Sequence, residues 1–438
     1  MKIFHKTVDT GTIERNNLQK IVANTIWLFS DRILRMIASV LVGVWIARYL
    51  GTRNFGLFSY ASAFVALFST FASLGLESIV VRDIVRYPNL KNEILGTAFV
   101  LRFIGGVLTL LSSVIAISLM RGNDTLAIFL VALIAASSIF QAFDTIDFWF
   151  QSQVCSKKTL IAKNTAFLFV AVGKVFLIQI QAPLLVFGWL SLVETILAAI
   201  GLVIVYCVDG SSPMDWCVSK SRMRQLLRDS WPIALSGLAI MIYMRIDQLM
   251  LGHFLGDRAV GIYSAAIRIS EVFYFIPTAI VSSIFPSIIE VRQRDKDEYY
   301  ERLKKLFTSM VWLAIAVSII LTIFGNSIVI LLFGDSYSGS TPILLIHVWS
   351  SVFVFLGVSQ GPWNVAENLT KLSLQRAIIG ALINVGLNLI LIPTLGGIGA
   401  AIATLISYSV SAFFANVLDI RTRRIFYLQL RSIFLLGF

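Results

Sequence analysis

Twelve apolar runs of about 20 to 28 residues, parted by breaks of Gly, Pro and charge, take up about two-thirds of this 438-residue chain. At about 1.5 Å of rise per residue, each run is long enough as an α-helix to cross a hydrocarbon layer of roughly 30 Å. The runs fall near 20–48, 54–76, 95–119, 125–150, 160–181, 183–207, 231–254, 259–289, 307–333, 341–365, 372–393 and 397–418. With 57% hydrophobic and 14% charged residues, the chain has too little polar surface to cover a soluble globule. Alternation of the kind a β-barrel needs is absent, so the expectation is an all-α integral membrane protein of about twelve spans.

The chain also repeats itself. Tyr49-Leu50-Gly51-Thr52-Arg53-Asn54-Phe55-Gly56 returns at a constant offset of 205 residues as Phe254-Leu255-Gly256-Asp257-Arg258-Ala259-Val260-Gly261. Each copy closes one apolar run and opens the next, which predicts two homologous six-helix bundles. Six spans separate the copies, so both face the same way, and the pseudo-twofold axis runs along the membrane normal.

Placing the N-terminus in the cytoplasm puts 26 of the 36 Lys and Arg residues on the inside, Lys163 and Arg376 among them. Four lie outside: Arg48, Arg53, Arg121 and Arg258. This bias predicts an N-in, C-in topology. It explains much of the net charge of +12 by the anionic membrane face, without a nucleic-acid partner. The chain then divides into a cytoplasmic N-terminal segment (1–19), a first bundle (20–208), a cytoplasmic linker (209–230), a second bundle (231–420) and a basic cytoplasmic tail (421–438).

Six bases remain inside the spans, Arg32, Arg35, Arg102, Lys174, Arg245 and Arg268, against six acids, Asp31, Asp144, Asp147, Glu194, Asp247 and Glu271. A charge at a helix centre costs about 2.5–3.5 kcal/mol on insertion scales, so these groups must meet water or one another. Asp31 with Arg35 (i,i+4) and Arg268 with Glu271 (i,i+3) are spaced either for local bridges or for a shared polar cavity. Arg102, near the inside end of its span, reads as snorkelling. Lys174 lies deeper and has no acid at helical spacing, which makes it a cavity candidate. Gln141, Asp144, Asp147 and Gln151 form one helical stripe, read as a gate or a bridge to bases on other helices in preference to a proton relay. The candidate cavity bases are thus Arg32, Arg35, Lys174, Arg245 and Arg268. Candidates for ion coupling or gating are Asp31, Asp144, Asp147, Glu194, Asp247 and Glu271.

Pro277, Pro286, Gly325-Asn326 and Gly361-Pro362 are expected to interrupt spans of the second half. Cys155, Cys207 and Cys217 follow no metal spacing and read as apolar fillers, and His5, His253 and His347 stand apart. With no Walker loop outside the membrane, an ATP-driven pump is unsupported, and the loops are too short for a catalytic domain.

Several motifs in order carry a resemblance: Ala23-Asn-Thr-Ile-Trp-Leu-Phe29, Ile46-Ala-Arg-Tyr-Leu-Gly51 with Gly56-Leu-Phe-Ser-Tyr60, Asp147-Phe-Trp-Phe-Gln151, and Leu391-Ile-Pro-Thr-Leu-Gly-Gly-Ile-Gly-Ala-Ala401 within 384–403. Together they resemble Wzx-type O-antigen and polysaccharide flippases of the multidrug/oligosaccharidyl-lipid/polysaccharide exporter superfamily. The resemblance implies a V-shaped pair of bundles that moves an undecaprenyl-pyrophosphate-linked oligosaccharide from the inner to the outer leaflet of the bacterial cytoplasmic membrane by alternating access. It also implies membrane lipids and the polysaccharide polymerase and chain-length machinery as partners, and no cofactor beyond a coupling H+ or Na+. In relatives the charges of helices one, two and eight matter; here span one supplies Arg32 and Arg35 and span eight Arg268, while span two carries no base. A diphosphate suits such arginines, whose planar forks donate to its oxygens. The alternatives are a cation-coupled multidrug antiporter of the same fold, which calls for a more acidic cavity, and a polysaccharide polymerase or membrane glycosyltransferase.

Overall fold

A computed structural model describes residues 10–367 and 369–434, with side chains from Leu34 onward except those of Pro286, Gln293 and Thr370. Asp31, Arg32 and the whole N-terminal segment 1–19 therefore lie outside the described side chains. Among the described residues every regular element is helical. The first half comprises α1 (Thr10–Ser73), α2 (Leu76–Arg86), α3 (Lys91–Met120), α4 (Thr125–Phe140), α5 (Thr145–Ser152), α6 (Lys157–Gln179) and α7 (Leu184–Val208). The second comprises α8 (Lys220–Leu255), α9 (Asp257–Glu271), α10 (Phe275–Arg294), α11 (Lys296–Phe333), α12 (Ser340–His347), α13 (Ser350–Ser359), α14 (Gly361–Ala366), α15 (Thr370–Leu395), α16 (Gly397–Ser409), α17 (Ala415–Leu418) and α18 (Arg423–Phe434).

Eleven helical stretches among the described residues are long and apolar enough to cross a membrane. The first, Leu34–Arg86, has 53 residues and would reach about 80 Å if straight. It is not straight: Gly51, at φ 69° and ψ 173°, breaks α1 into two arms. Gly256 takes the same backbone shape, φ 79° and ψ 179°, between α8 and α9. Both glycines hold a left-handed φ that a side chain would strain. The eleven stretches thus make twelve crossings, and the protein is a multi-pass, all-α membrane protein built of two bundles.

The two hairpins pack on each other through their second glycines. A Cβ on Gly56 would lie 1.7 Å from the Asp257 carbonyl oxygen, and one on Gly261 would lie 1.9 Å from that of Thr52. Since Thr52 and Asp257 are themselves equivalent positions, the contact is reciprocal, as a twofold requires. Arg121 fastens this junction: it pairs with Asp257 at 2.7 Å, donates to the Gly252 carbonyl at 3.1 Å and covers the Tyr60 ring at 3.9 Å. Tyr337 donates to the Ala47 carbonyl at 2.7 Å and Arg48 to that of Leu331 at 3.0 Å.

The apolar core follows the same division. Ala47, Tyr60, Leu251, Tyr263 and Tyr337 belong to one cluster shared by both halves at the hairpin end. At the other end each half has its own cluster, around Leu76, Ile146 and Tyr206 in the first and around Leu303, Phe355 and Trp363 in the second. The halves thus share one core beneath the hairpins and keep separate cores toward the basic end, where α8 still touches the first half through Leu226 and Ala234.

Several expectations change. The linker 209–230 is in part helical, since α8 begins at Lys220 and runs through Pro232 into the membrane. It is tied to the first half by Arg82–Asp229 at 2.7 Å and by the Cys217 amide donating to the Asn92 carbonyl at 3.3 Å. The tail folds as α18, seated on the second half through Gln429, which exchanges hydrogen bonds with Asn416 and Gln360. Gly325 does not interrupt α11; it lets Leu345 approach, whose Cδ2 would stand 3.1 Å from an added Cβ. Gly361-Pro362 does separate α13 from α14. Span eight breaks at a 3-10 turn, Val272–Tyr274, where Pro277 has no N–H to offer the Phe273 carbonyl. The three cysteines are free and exposed rather than packed as fillers.

Candidate functional site

Directly beneath the joined hairpins lies a cavity of about 460 Å³, walled by both arms of α1 and by α8 and α9. The twofold passes through it: at the 205-residue offset, Val40 answers Arg245, Ser59 answers Ser264, Ala63 answers Arg268 and Ala66 answers Glu271, and all eight residues line it. The first half contributes small and hydroxyl side chains, the second half the charges.

Glu271 pairs with Arg245 of α8 at 3.4 Å, not with Arg268 of its own helix, which corrects the i,i+3 bridge. Arg268 is left without an ion pair among the described residues. Its guanidinium crosses to the first half, 5.7 Å from the Phe55 ring centroid. It presses on Gly43, where an added Cβ would lie 2.2 Å from Nη1. The hydroxyls of Ser39, Ser59, Ser62 and Ser264 and the amide of Gln248 complete a polar chamber that holds two cations and one anion among the described residues.

The other predicted charges sit elsewhere. Arg35 lies 5.7 Å from the Phe167 ring of α6 and does not line the chamber. Lys174 pairs with Glu194 across α6 and α7 at 3.0 Å. Arg102 does not snorkel: it is 6% exposed and pairs with Asp144 at 3.4 Å. Lys163 reaches Asp144 and Asp147 at 2.9 Å each, and Thr159 donates to Asp147. This cluster lines a second space of about 820 Å³, between the first half and the Ile233–Gly237 stretch of α8. The span-four stripe is thus an interhelical bridge to bases.

Asp247 is fully enclosed inside the second bundle. Tyr263 and Thr404 donate to its Oδ2 at 2.7 and 2.5 Å, and Asn388 donates to Oδ1 at 2.6 Å. Asn388 also donates to Asn384 at 3.0 Å, while its own Oδ1 is buried with no partner.

Residues 21–292, more than half of the chain, match the family described as "Polysaccharide biosynthesis protein". The chain belongs to that family. Residues 232–390 match the MatE family as well. The probable low-salt glycan biosynthesis flippase Agl15 of Haloferax volcanii is 24% identical over 376 residues, covering 83% of this chain and 76% of that protein. Among solved structures, an inward-facing multidrug resistance MATE transporter of the MOP superfamily superposes with a TM-score of 0.74 at 16% identity, covering 93% of this chain and 99% of that one. The lipid II flippase MurJ in an inward closed conformation gives 0.66 at 16%, covering 94% and 91%. The fold is therefore that of the MOP transporters, and these relatives are flippases and transporters rather than enzymes.

In this polysaccharide biosynthesis protein, the chamber gathers Arg245, Arg268 and Glu271 of the predicted set. Lys174, Glu194, Asp144 and Asp147 lie in bridges within the first bundle, and Asp247 in a cage of its own. Sequence reasoning missed Gly43, the seat of the Arg268 guanidinium, and the serines that face it across the twofold. The repeat itself holds the signal for the serines: Ser59 and Ser264 occupy the same place in its two copies.

Proposed function

We propose that the protein flips an undecaprenyl-pyrophosphate-linked oligosaccharide, an O-antigen or related surface-polysaccharide unit, by alternating access. The observation that carries this reading is Arg268, a guanidinium with no ion pair among the described residues, in a polar chamber on the twofold where two arginines share one carboxylate, under a closed junction. Such a group receives the diphosphate through charge-assisted hydrogen bonds, while chamber hydroxyls and water accept the glycan. The prenyl tail stays in lipid. The bias of Lys and Arg puts the separated end in the cytoplasm and both termini inside, so the chamber fills from the inner leaflet of the cytoplasmic membrane. An organic cation would meet Arg268 as a repulsive neighbour, which disfavours drug extrusion. Polymerase and chain-length proteins would then take the cargo on the far side.

For coupling, the Asp247 cage is the best-suited place. Its carboxylate, the Thr404 hydroxyl and the unpartnered Asn388 Oδ1 form an oxygen-rich set that fits a proton or a sodium ion. Flipping that ignores imposed pH and sodium gradients would remove the coupling but leave the flippase.

The test is reconstitution in vesicles loaded with a lipid-linked oligosaccharide, with an external glycosidase reporting which leaflet holds the glycan. Wild-type protein should empty the protected leaflet with the glycan unchanged, and Arg268→Ala should not, though it inserts. A wild type that leaves the glycan protected, or that lengthens it, overturns the reading.

A further inference from the structure

The second half holds another cavity, about 300 Å³, inside its own bundle between α8, α13, α15 and α16. Its wall includes Tyr243, Tyr274, Gln360, Asn364, Arg376 and Tyr408. Arg376 counts as a cytoplasmic base by sequence, yet in α15 it is only 7% exposed. Its Nη2 is buried with no hydrogen-bond partner, and among the described residues it forms no ion pair. The acid whose charge acts on it, Asp419, is already held by both prongs of Arg421, at 2.8 and 3.1 Å. The cation is thus built in and left open.

Its neighbours narrow the ligand. Tyr243 and Tyr408 stand edge to face at 5.3 Å and give the cavity an aromatic wall. Asn364 accepts from Gln360 at 3.4 Å, and its N–H groups have no protein acceptor among the described residues. Aromatic rings present flat apolar surfaces, amides and phenols bond hydroxyls, and a guanidinium takes a carboxylate by its fork. The volume, about 300 Å³, stands at the small end of small-molecule pockets and admits one sugar ring with its substituents.

The cavity also adjoins the central chamber. Tyr243 and Met244 line this space and the next residue, Arg245, lines the chamber; Tyr274 lines this space and Glu271 and Val272 the chamber. The Arg245–Glu271 pair stands in the shared wall.

We propose that this cavity is a glycan subsite for an acidic sugar, its carboxylate on Arg376 and its ring against Tyr243 and Tyr408. The proposal rests on the flippase reading and names part of its cargo.

Its test is calorimetric titration of the whole protein, in phosphatidylcholine nanodiscs, with methyl glucuronide and methyl glucoside. Wild type should bind the glucuronide at least tenfold more tightly. Arg376→Gln should erase that preference and Arg376→Lys restore part of it. Ser373→Phe, which fills the cavity and keeps the charge, should lose both sugars and also guards against a misfolded arginine variant. Equal binding of the two sugars by wild type, or a preference that survives in Arg376→Gln, overturns the subsite. In the vesicle assay Arg376→Gln should still flip a neutral glycan and slow for an acidic one. Wild type that flips neither defeats the flippase reading, while the titration still judges the subsite.

Discussion

A methyl group on Gly56 should push the two halves apart at the hairpins. The Cβ of Gly56→Ala would stand 1.7 Å from the Asp257 carbonyl oxygen, so the backbones must part by about 1.5 Å to reach even a tight contact. Overpacking usually costs about 1–3 kcal/mol. Because the obstructing atom is backbone, the upper end applies, and about 3 kcal/mol shifts the closed-to-open ratio by roughly 150-fold. Gly261→Ala should do the same against Thr52, where the approach is 1.9 Å. One separation relieves both clashes, so the double variant should add little to either single one. Spin labels on cysteines replacing the exposed Arg53 and Arg258, with the three native cysteines removed, report the hairpin distance by pulsed electron resonance. Wild type should give a short population and both alanine variants a long one. Distance distributions that superimpose in all three, at equal yield of folded protein, would refute the reasoning.

Gly43→Val should stop glycan export as completely as Arg268→Ala does, because it displaces the guanidinium without altering any charge; export at normal rate with Gly43→Val inserted would detach Arg268 from the cargo. Lys163→Ala should lower stability by about 3 kcal/mol, the low end for a broken buried pair since its partners are 17% and 30% exposed, read as a fall in melting temperature in detergent. Glu367 is bound by both prongs of Arg292, at 2.8 and 3.2 Å, which holds its carboxyl below the ordinary glutamate value. A lowered folded value stabilises above the unfolded pKa of about 4.3 and is lost as pH falls through the folded one. The melting difference between wild type and Glu367→Gln should therefore be full at pH 7 and vanish at strongly acid pH, and a difference that persists in acid would deny the link.

How much was legible depended on the range of the force involved. The bilayer fixes helix length directly, so the spans could be counted, and the broken α1 at Gly51 keeps that count where an unbroken 53-residue helix would not. Charges were read at spacings along one helix, but they met across helices: Glu271 chose Arg245, Lys174 chose Glu194, and Lys163 bridged two acids of span four. Lys163, Arg376 and Arg121 went to the aqueous side because apolar runs end softly. α6 and α15 begin well before Lys163 and Arg376, while Arg121 caps the end of α3, and each of the three side chains turns into protein.

The repeat held more than was taken from it. Carried a few turns beyond its glycines, the offset pairs Ala63 with Arg268 and Ala66 with Glu271, and these four face one another around the chamber. The guanidinium that would draw an anion belongs to α9 but lies against Gly43 of the first half, so the Coulomb attraction places the anion at that tip and off the axis. On the flippase reading, cargo held by Arg268 would stay with the second half when the junction at Gly56 and Gly261 opens. Among the described residues the first half presents no charge to the chamber, so it would have none to break from as it swings away. The asymmetry therefore removes an electrostatic barrier that a second arginine at Ala63 would create, and Ala63→Arg should trap the anion, raising affinity for it while slowing its release.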